Sequence, residues 1–240
     1  MVDTSPRPPH DEDLDTAFAR IEAAVREGDT DLSRLGFWRL VRRLKHDPSL
    51  AARWADVAGR IDRDAFEGAV RLRAPVWFGN AVLMIGTAVG GLAVVVAMRV
   101  DDEVVAGIAL VLAAGIWSGS VHGLAHWVVG RLVGIRFVCY FVRMAVPPWP
   151  GLKTDYGTYL RTPASARAWM HASGALATKA APFVALAFWW ATDAPAWAAW
   201  ACAALGVFEI VTDIAFSTKS SDWKKVARER RIARTVASRA

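Results

Sequence analysis

Five histidines occur in the 240 residues, and two of them, His122 and His126, stand four apart in a run, Val104 to Gly130, that has no Asp, Glu, Lys or Arg. On a helix that spacing puts both imidazoles on one face, where their ring nitrogens can reach a single ion. Glu209 and Asp213 repeat the spacing in a later apolar run. Two imidazoles and a carboxylate from a facing helix form the donor set of a zinc site with an open position. His122, His126 and Asp213 are therefore the candidate metal ligands, and zinc is the candidate cofactor. Glu209 and His171 are candidates for an additional ligand or for a group that supports the ligands. Lys179 reads either as a bridge to one of these carboxylates or as a catalytic group. For the histidines, the plainer alternative is hydrogen bonding across a helix bundle.

The elements that must position these residues are four stretches with too little charge for soluble helices, 76–98, 104–130, 168–192 and 194–217. Each exceeds the about 20 residues that cross a hydrocarbon core of ~30 Å. The chain as a whole is 54% apolar and holds twelve Trp. The expected fold is an all-α polytopic membrane protein with four transmembrane helices. Arg and Lys are scarce in the loops after spans one and three. They crowd the segment before span one, the loop between spans two and three, and the end of the chain. That asymmetry predicts a multi-pass protein of the cell membrane with both termini cytoplasmic. Counting about 1.5 Å per residue from that face, His126, His171 and Asp213 lie roughly 5 to 6 Å deep, His122 and Glu209 about 12 Å, and Lys179 deeper.

The flanking segments have their own signatures. Residues 1–13, Pro-rich and then acidic, read as disordered, and the first thirty residues lack the apolar stretch of a cleaved signal. Residues 14–74 read as a cytoplasmic helical region. Leu14, Phe18, Ile21 and Val25 recur at helical spacing, and Leu32, Leu35, Trp38, Val41 and Leu44 mark a second amphipathic stretch. That stretch, interleaved with bases, suits either an anionic leaflet or a small helical cap. Ile135–Val146 is β-branched and aromatic and leads into Pro147-Pro148-Trp149-Pro150-Gly151, so a membrane-associated β-rich segment and a turn are expected. Gly115, Gly119 and Gly123 form a small-residue ridge suited to close helix approach. Cys139 and Cys202 suggest no disulfide framework.

The formal net charge of +6 resides in residues 217–240, which hold eight Lys or Arg against Asp222 and Glu229, and the rest of the chain is neutral. A basic tail (218–240) beside an anionic leaflet points to membrane lipid as partner and away from nucleic acid.

The segment His122-Gly123-Leu124-Ala125-His126, continued by Trp127-Val128-Val129-Gly130-Arg131-Leu132-Val133-Gly134-Ile135, resembles the first motif of the site-2 protease family of intramembrane zinc metalloproteases. Tyr159-Leu160-Arg161-Thr162-Pro163 and His171-Ala172-Ser173-Gly174-Ala175-Leu176-Ala177-Thr178 resemble the family's middle core helix. The resemblance covers roughly 104–217 and implies a metalloprotease-like domain at 75–217, with Asp213 as third ligand. Where the family has Glu as general base, this chain has Gly123, which cannot take a proton. Ile214 stands where Gly follows the family's Asp, and Ala175 and Thr178 replace its Pro and Asn.

Three functions follow as expectations. The first is a catalytically degenerate membrane protein, a pseudoenzyme that keeps the metal and binds membrane partners. The second is an active, divergent metallopeptidase, a hydrolase of membrane-embedded or membrane-apposed protein or peptide substrates, with Glu209 as candidate base. The third is a haem-binding membrane protein using His122 or His126 with His171. Oligomeric state leaves no mark in the sequence.

Overall fold

The computed structural model describes residues 13–143, 149–215 and 221–238. In chain order these form α1 (Leu14–Arg26), α2 (Phe37–Lys45), α3 (Pro48–Ala69), β1 (Arg73–Ala74), α4 (Val76–Ala97), α5 (Glu103–Leu132), β2 (Phe137–Arg143), β3 (Trp149–Thr154), α6 (Tyr156–Arg161), α7 (Ala164–Trp189), α8 (Ala196–Ala215) and α9 (Asp222–Ala237). α4, α5, α7 and α8 are long and apolar enough to cross a membrane. At 1.5 Å per residue they measure about 33, 45, 39 and 30 Å. Their outer faces expose Trp77, Ile85, Leu92, Leu112, Phe208 and Ile214. Such faces suit hydrocarbon as solvent.

Two compact units divide the chain, one of residues up to Arg71 with Asp155–Arg161, the other of Leu72–Thr154 with the residues from Thr162 onward. In the first, the apolar faces of α1, α2, α3 and α6 close on Phe18, Ile21, Phe37, Leu44, Trp54, Ile61 and Leu160. Phe18 stacks on Trp54 with centroids 5.1 Å apart. The α2 side chains Phe37, Leu40, Val41 and Leu44 are buried here, so its apolar stripe is spent on this core. Asp47 caps α3 through the amides of Ser49 and Leu50, and Pro48 suits the first helical position. Arg63 pairs with Asp155, and Arg161 with Asp56, tying α6 to α3.

In the second unit α5 is central, packed against α4, α7 and α8. Asp102 caps it at the amides of Val104 and Val105. Helix approach uses Gly86 and Gly90 of α4, against Ser120 and Trp117, whereas Gly115 and Gly119 of the expected ridge face open space. Trp117 donates to the Thr87 carbonyl at 2.9 Å. The expected β-rich segment is a sheet of order β1-β2-β3, antiparallel throughout. Trp149, Pro150 and Gly151, expected in a turn, belong to β3 at the sheet edge, where a proline's missing N–H is tolerated. Pro147 and Pro148 lie outside the described residues, as do 1–12 of the segment expected to be disordered and the last two residues of the fourth expected span.

The end of the chain differs most from expectation. α9 packs along α7, with Val226 buried against Ala168 and Ala172. Arg167 Nε donates to Glu229 Oε2 at 2.8 Å, and the two side chains are 3% and 0% exposed. The stretch expected to be a basic tail therefore contributes a core helix of this unit.

Candidate metal centre

His122 and His126 lie one turn apart on α5, facing α7. His126 Nδ1 is 2.7 Å from the Met170 carbonyl. A carbonyl only accepts, so Nδ1 carries a proton, and in the neutral ring Nε2 keeps its lone pair. His122 is fixed in the same way. Its Nδ1 is 2.9 Å from Thr178 Oγ1, and that hydroxyl donates to the Gly174 carbonyl at 3.1 Å. The two Nε2 atoms face each other 3.2 Å apart. Asp222 Oδ2, from the first residue of α9, completes the group at 3.1 Å from His126 Nε2 and 3.4 Å from His122 Nε2.

Three acceptors this close repel one another unless positive charge lies between them. A tetrahedral ion with bonds of about 2.0 to 2.1 Å has ligand-to-ligand edges of about 3.3 to 3.4 Å. The three separations, 3.1 to 3.4 Å, lie within about 0.3 Å of those edges, and His122, His126 and Asp222 are the group able to hold a metal ion among the described residues. The carboxylate's other oxygen, Oδ1, accepts from Lys225 Nζ at 3.0 Å and lies 3.9 Å from His171 Nδ1. Burial opposes the Asp222 charge, but with protons on the imidazole nitrogens that face it, in the place an ion would take, hydrogen bonds from His122 and His126 together with Lys225 outweigh burial and hold the carboxyl well below its usual range. The His122 side chain is 43% exposed against 13% for His126, which leaves the group open on the His122 side.

Two glycines shape the surroundings. A Cβ at Gly174 would collide with the His126 ring, so α7 carries no side chain where that ring lies. At Gly123 a Cβ would come within 2.9 Å of Leu83 Cδ1 and 3.4 Å of the Tyr140 hydroxyl. Tyr140 donates to Asn80 Oδ1 at 2.8 Å, and burial pushes its hydroxyl up to about 12. The space into which a side chain at 123 would grow is thus filled by α4 and β2.

No family model, curated protein or solved structure matches the chain.

Of the residues singled out in the sequence, His122 and His126 meet at the centre and His171 borders it. Asp213 does not join them. It pairs instead with Lys179 Nζ at 2.6 Å, because an ammonium among apolar helices demands a counter-charge and depth along a span says nothing about direction around it. The carboxyl of Glu209 has Ser118 and Lys179 as its polar surroundings. Its Oε2 is buried without a hydrogen-bond partner among the described residues. Asp222 is the residue that the sequence reading missed, counted only as an acid in a basic tail. The available signal was its spacing: Asp222 and Glu229 share the face of α9 that carries Val226, and acids on an apolar stripe need buried partners.

Proposed function

We propose that this chain is an integral membrane protein that binds one zinc ion through His122, His126 and Asp222, and that it serves as a metal-fastened scaffold for membrane partners. The observation that carries the reading is the convergence of three acceptors, two of them imidazole nitrogens whose outer hydrogen bonds aim their lone pairs inward. Zinc supplies the positive charge that this donor set requires. Site-2 proteases remain the family the His pair resembles, with the third ligand drawn from a different helix. The resemblance gives position 123 to a base, and Gly123 has none to offer, so hydrolysis is not the activity proposed. Basic segments on the side of the bundle near this group suggest a cell-membrane protein with that side cytoplasmic. Lipid and membrane-protein partners fit that setting.

Zinc content of the purified full chain tests the proposal. Wild type and Asp213→Asn are expected to carry about one zinc per chain, and His126→Ala and Asp222→Asn less than about a tenth of that. Equal zinc in all four proteins overturns the reading.

A second reading, an active metallopeptidase, draws on the exposure of His122, which leaves the centre accessible. It requires Glu209 as base, and loss of peptide cleavage on Glu209→Gln with zinc retained would select it. A haem is poorly served by two Nε2 atoms 3.2 Å apart, since both aim at one point.

A further inference from the structure

α9 sorts its charges. Its acids both face inward, Asp222 to the imidazoles and Glu229 to Arg167, while Lys224, Arg228, Arg230, Arg231 and Arg234 are exposed. Arg230 and Arg234, one turn apart, form no ion pair among the described residues. They reach over the first turns of α7 and, with Ser165, Ala168, Trp169 and Ala233, line a cavity of about 450 Å³. The cavity thus has two guanidinium forks, a hydroxyl and a half-exposed indole, with no carboxylate to neutralise them.

We infer that this cavity binds the phosphate headgroup of an anionic phospholipid. Paired guanidiniums suit phosphate oxygens, which accept two parallel N–H bonds from each fork. What selects a lipid over a soluble polyanion is the surface that continues from the cavity. Trp169, Leu176 and Phe183 are 59%, 47% and 38% exposed, and their seven-residue spacing lays them along one side of α7, a helix long and apolar enough to cross a membrane. From Trp169 to Phe183 the helix rises about 21 Å, more than the ~15 Å depth of one leaflet. An acyl chain lies along that line while the headgroup sits between the arginines, and Trp169 marks the boundary that indoles favour.

The inference does not depend on the metal. Its test is native mass spectrometry of the delipidated full chain titrated with phosphatidylglycerol or phosphatidylcholine. Phosphatidylglycerol is expected to bind preferentially, and the Arg230→Gln/Arg234→Gln protein to bind it at least about tenfold more weakly. Lys224→Gln/Arg228→Gln, which removes the same charge from the same helix outside the cavity, should stay within about twofold of wild type. Quenching of indole fluorescence by a bromine-labelled acyl chain should fall on Trp169→Phe. Equal weakening by the two double variants would reduce the effect to general charge attraction and overturn the site. So would displacement of the lipid by inorganic phosphate at equal concentration, or binding of the two lipids alike.

Discussion

At position 174 the proposed metal centre depends on a side chain that is missing. The His126 ring occupies the space where a Cβ of residue 174 would stand, and the ring cannot step aside while Nδ1 holds the Met170 carbonyl and Nε2 faces Asp222. Alanine is the better helix former by about 1 kcal/mol, so Gly174→Ala should leave α7 helical and still displace the imidazole. The expected result is a folded protein with less than about a tenth of the wild-type zinc. Gly123→Ala is the matched control, because the atom it approaches most closely is the end of the Leu83 side chain, and it should keep its zinc. Full zinc in Gly174→Ala would show that the ring has another place to go. The contrast also marks what a sequence can reveal at this scale. The four-residue spacing of His122 and His126 is a local fact and survives folding intact. Which carboxylate meets them is decided by residues 96 positions away, and no spacing along one span encodes it.

Among the elements, α9 departs furthest from its composition. Eight bases in the last 24 residues describe a solvated or lipid-apposed helix, yet its inward face is made by its two acids, Val226 and Ile232. The apolar spans were legible because their signal is additive over twenty or more residues, and the starts that moved most lie next to prolines: Pro163 precedes the start of α7 and Pro195 that of α8. That Trp223, Val226 and Val236 mark an amphipathic helix was legible; its docking was not, because net charge averages over a face that is inward and a face that is outward. The Arg167–Glu229 pair makes its docking testable. Removing one partner of a buried ion pair leaves the other uncompensated, at a cost of about 3 to 5 kcal/mol. Glu229→Gln should therefore open α9 and raise tryptic cleavage within it by at least about a hundredfold. Arg167→Met/Glu229→Leu, which replaces the pair with apolar groups, should return cleavage towards the wild-type rate. A Glu229→Gln protein cut no faster than wild type would mean that the buried pair does not hold the helix.

On the scale of the whole molecule, the net charge of +6 is better understood as one helix with two jobs. Its inward acid meets the two imidazoles of α5, the group proposed to hold a metal, and its outward arginines line a cavity with the first turns of α7. Neither arrangement exists unless α9 is docked, so the proposed zinc and lipid would both favour the same docked state. A ligand that binds only the docked state favours it by an amount that grows with concentration over Kd, about 2.7 kcal/mol at a hundredfold excess. Binding linkage is reciprocal, so whatever factor zinc contributes to lipid affinity, lipid must return to zinc affinity. Stripping zinc with a chelator should then do three things together: lower the thermal midpoint, speed tryptic cleavage in α9, and weaken phosphatidylglycerol binding, all reversed when zinc is restored. In the other direction, phosphatidylglycerol should tighten zinc by the same factor in a competition titration against a chelator of known affinity. Asp222→Asn should abolish the coupling while keeping the arginine cavity's residues intact. If lipid affinity is the same with and without zinc in the wild type, α9 stays docked without the metal, and the centre then contributes nothing to the shape of the lipid site.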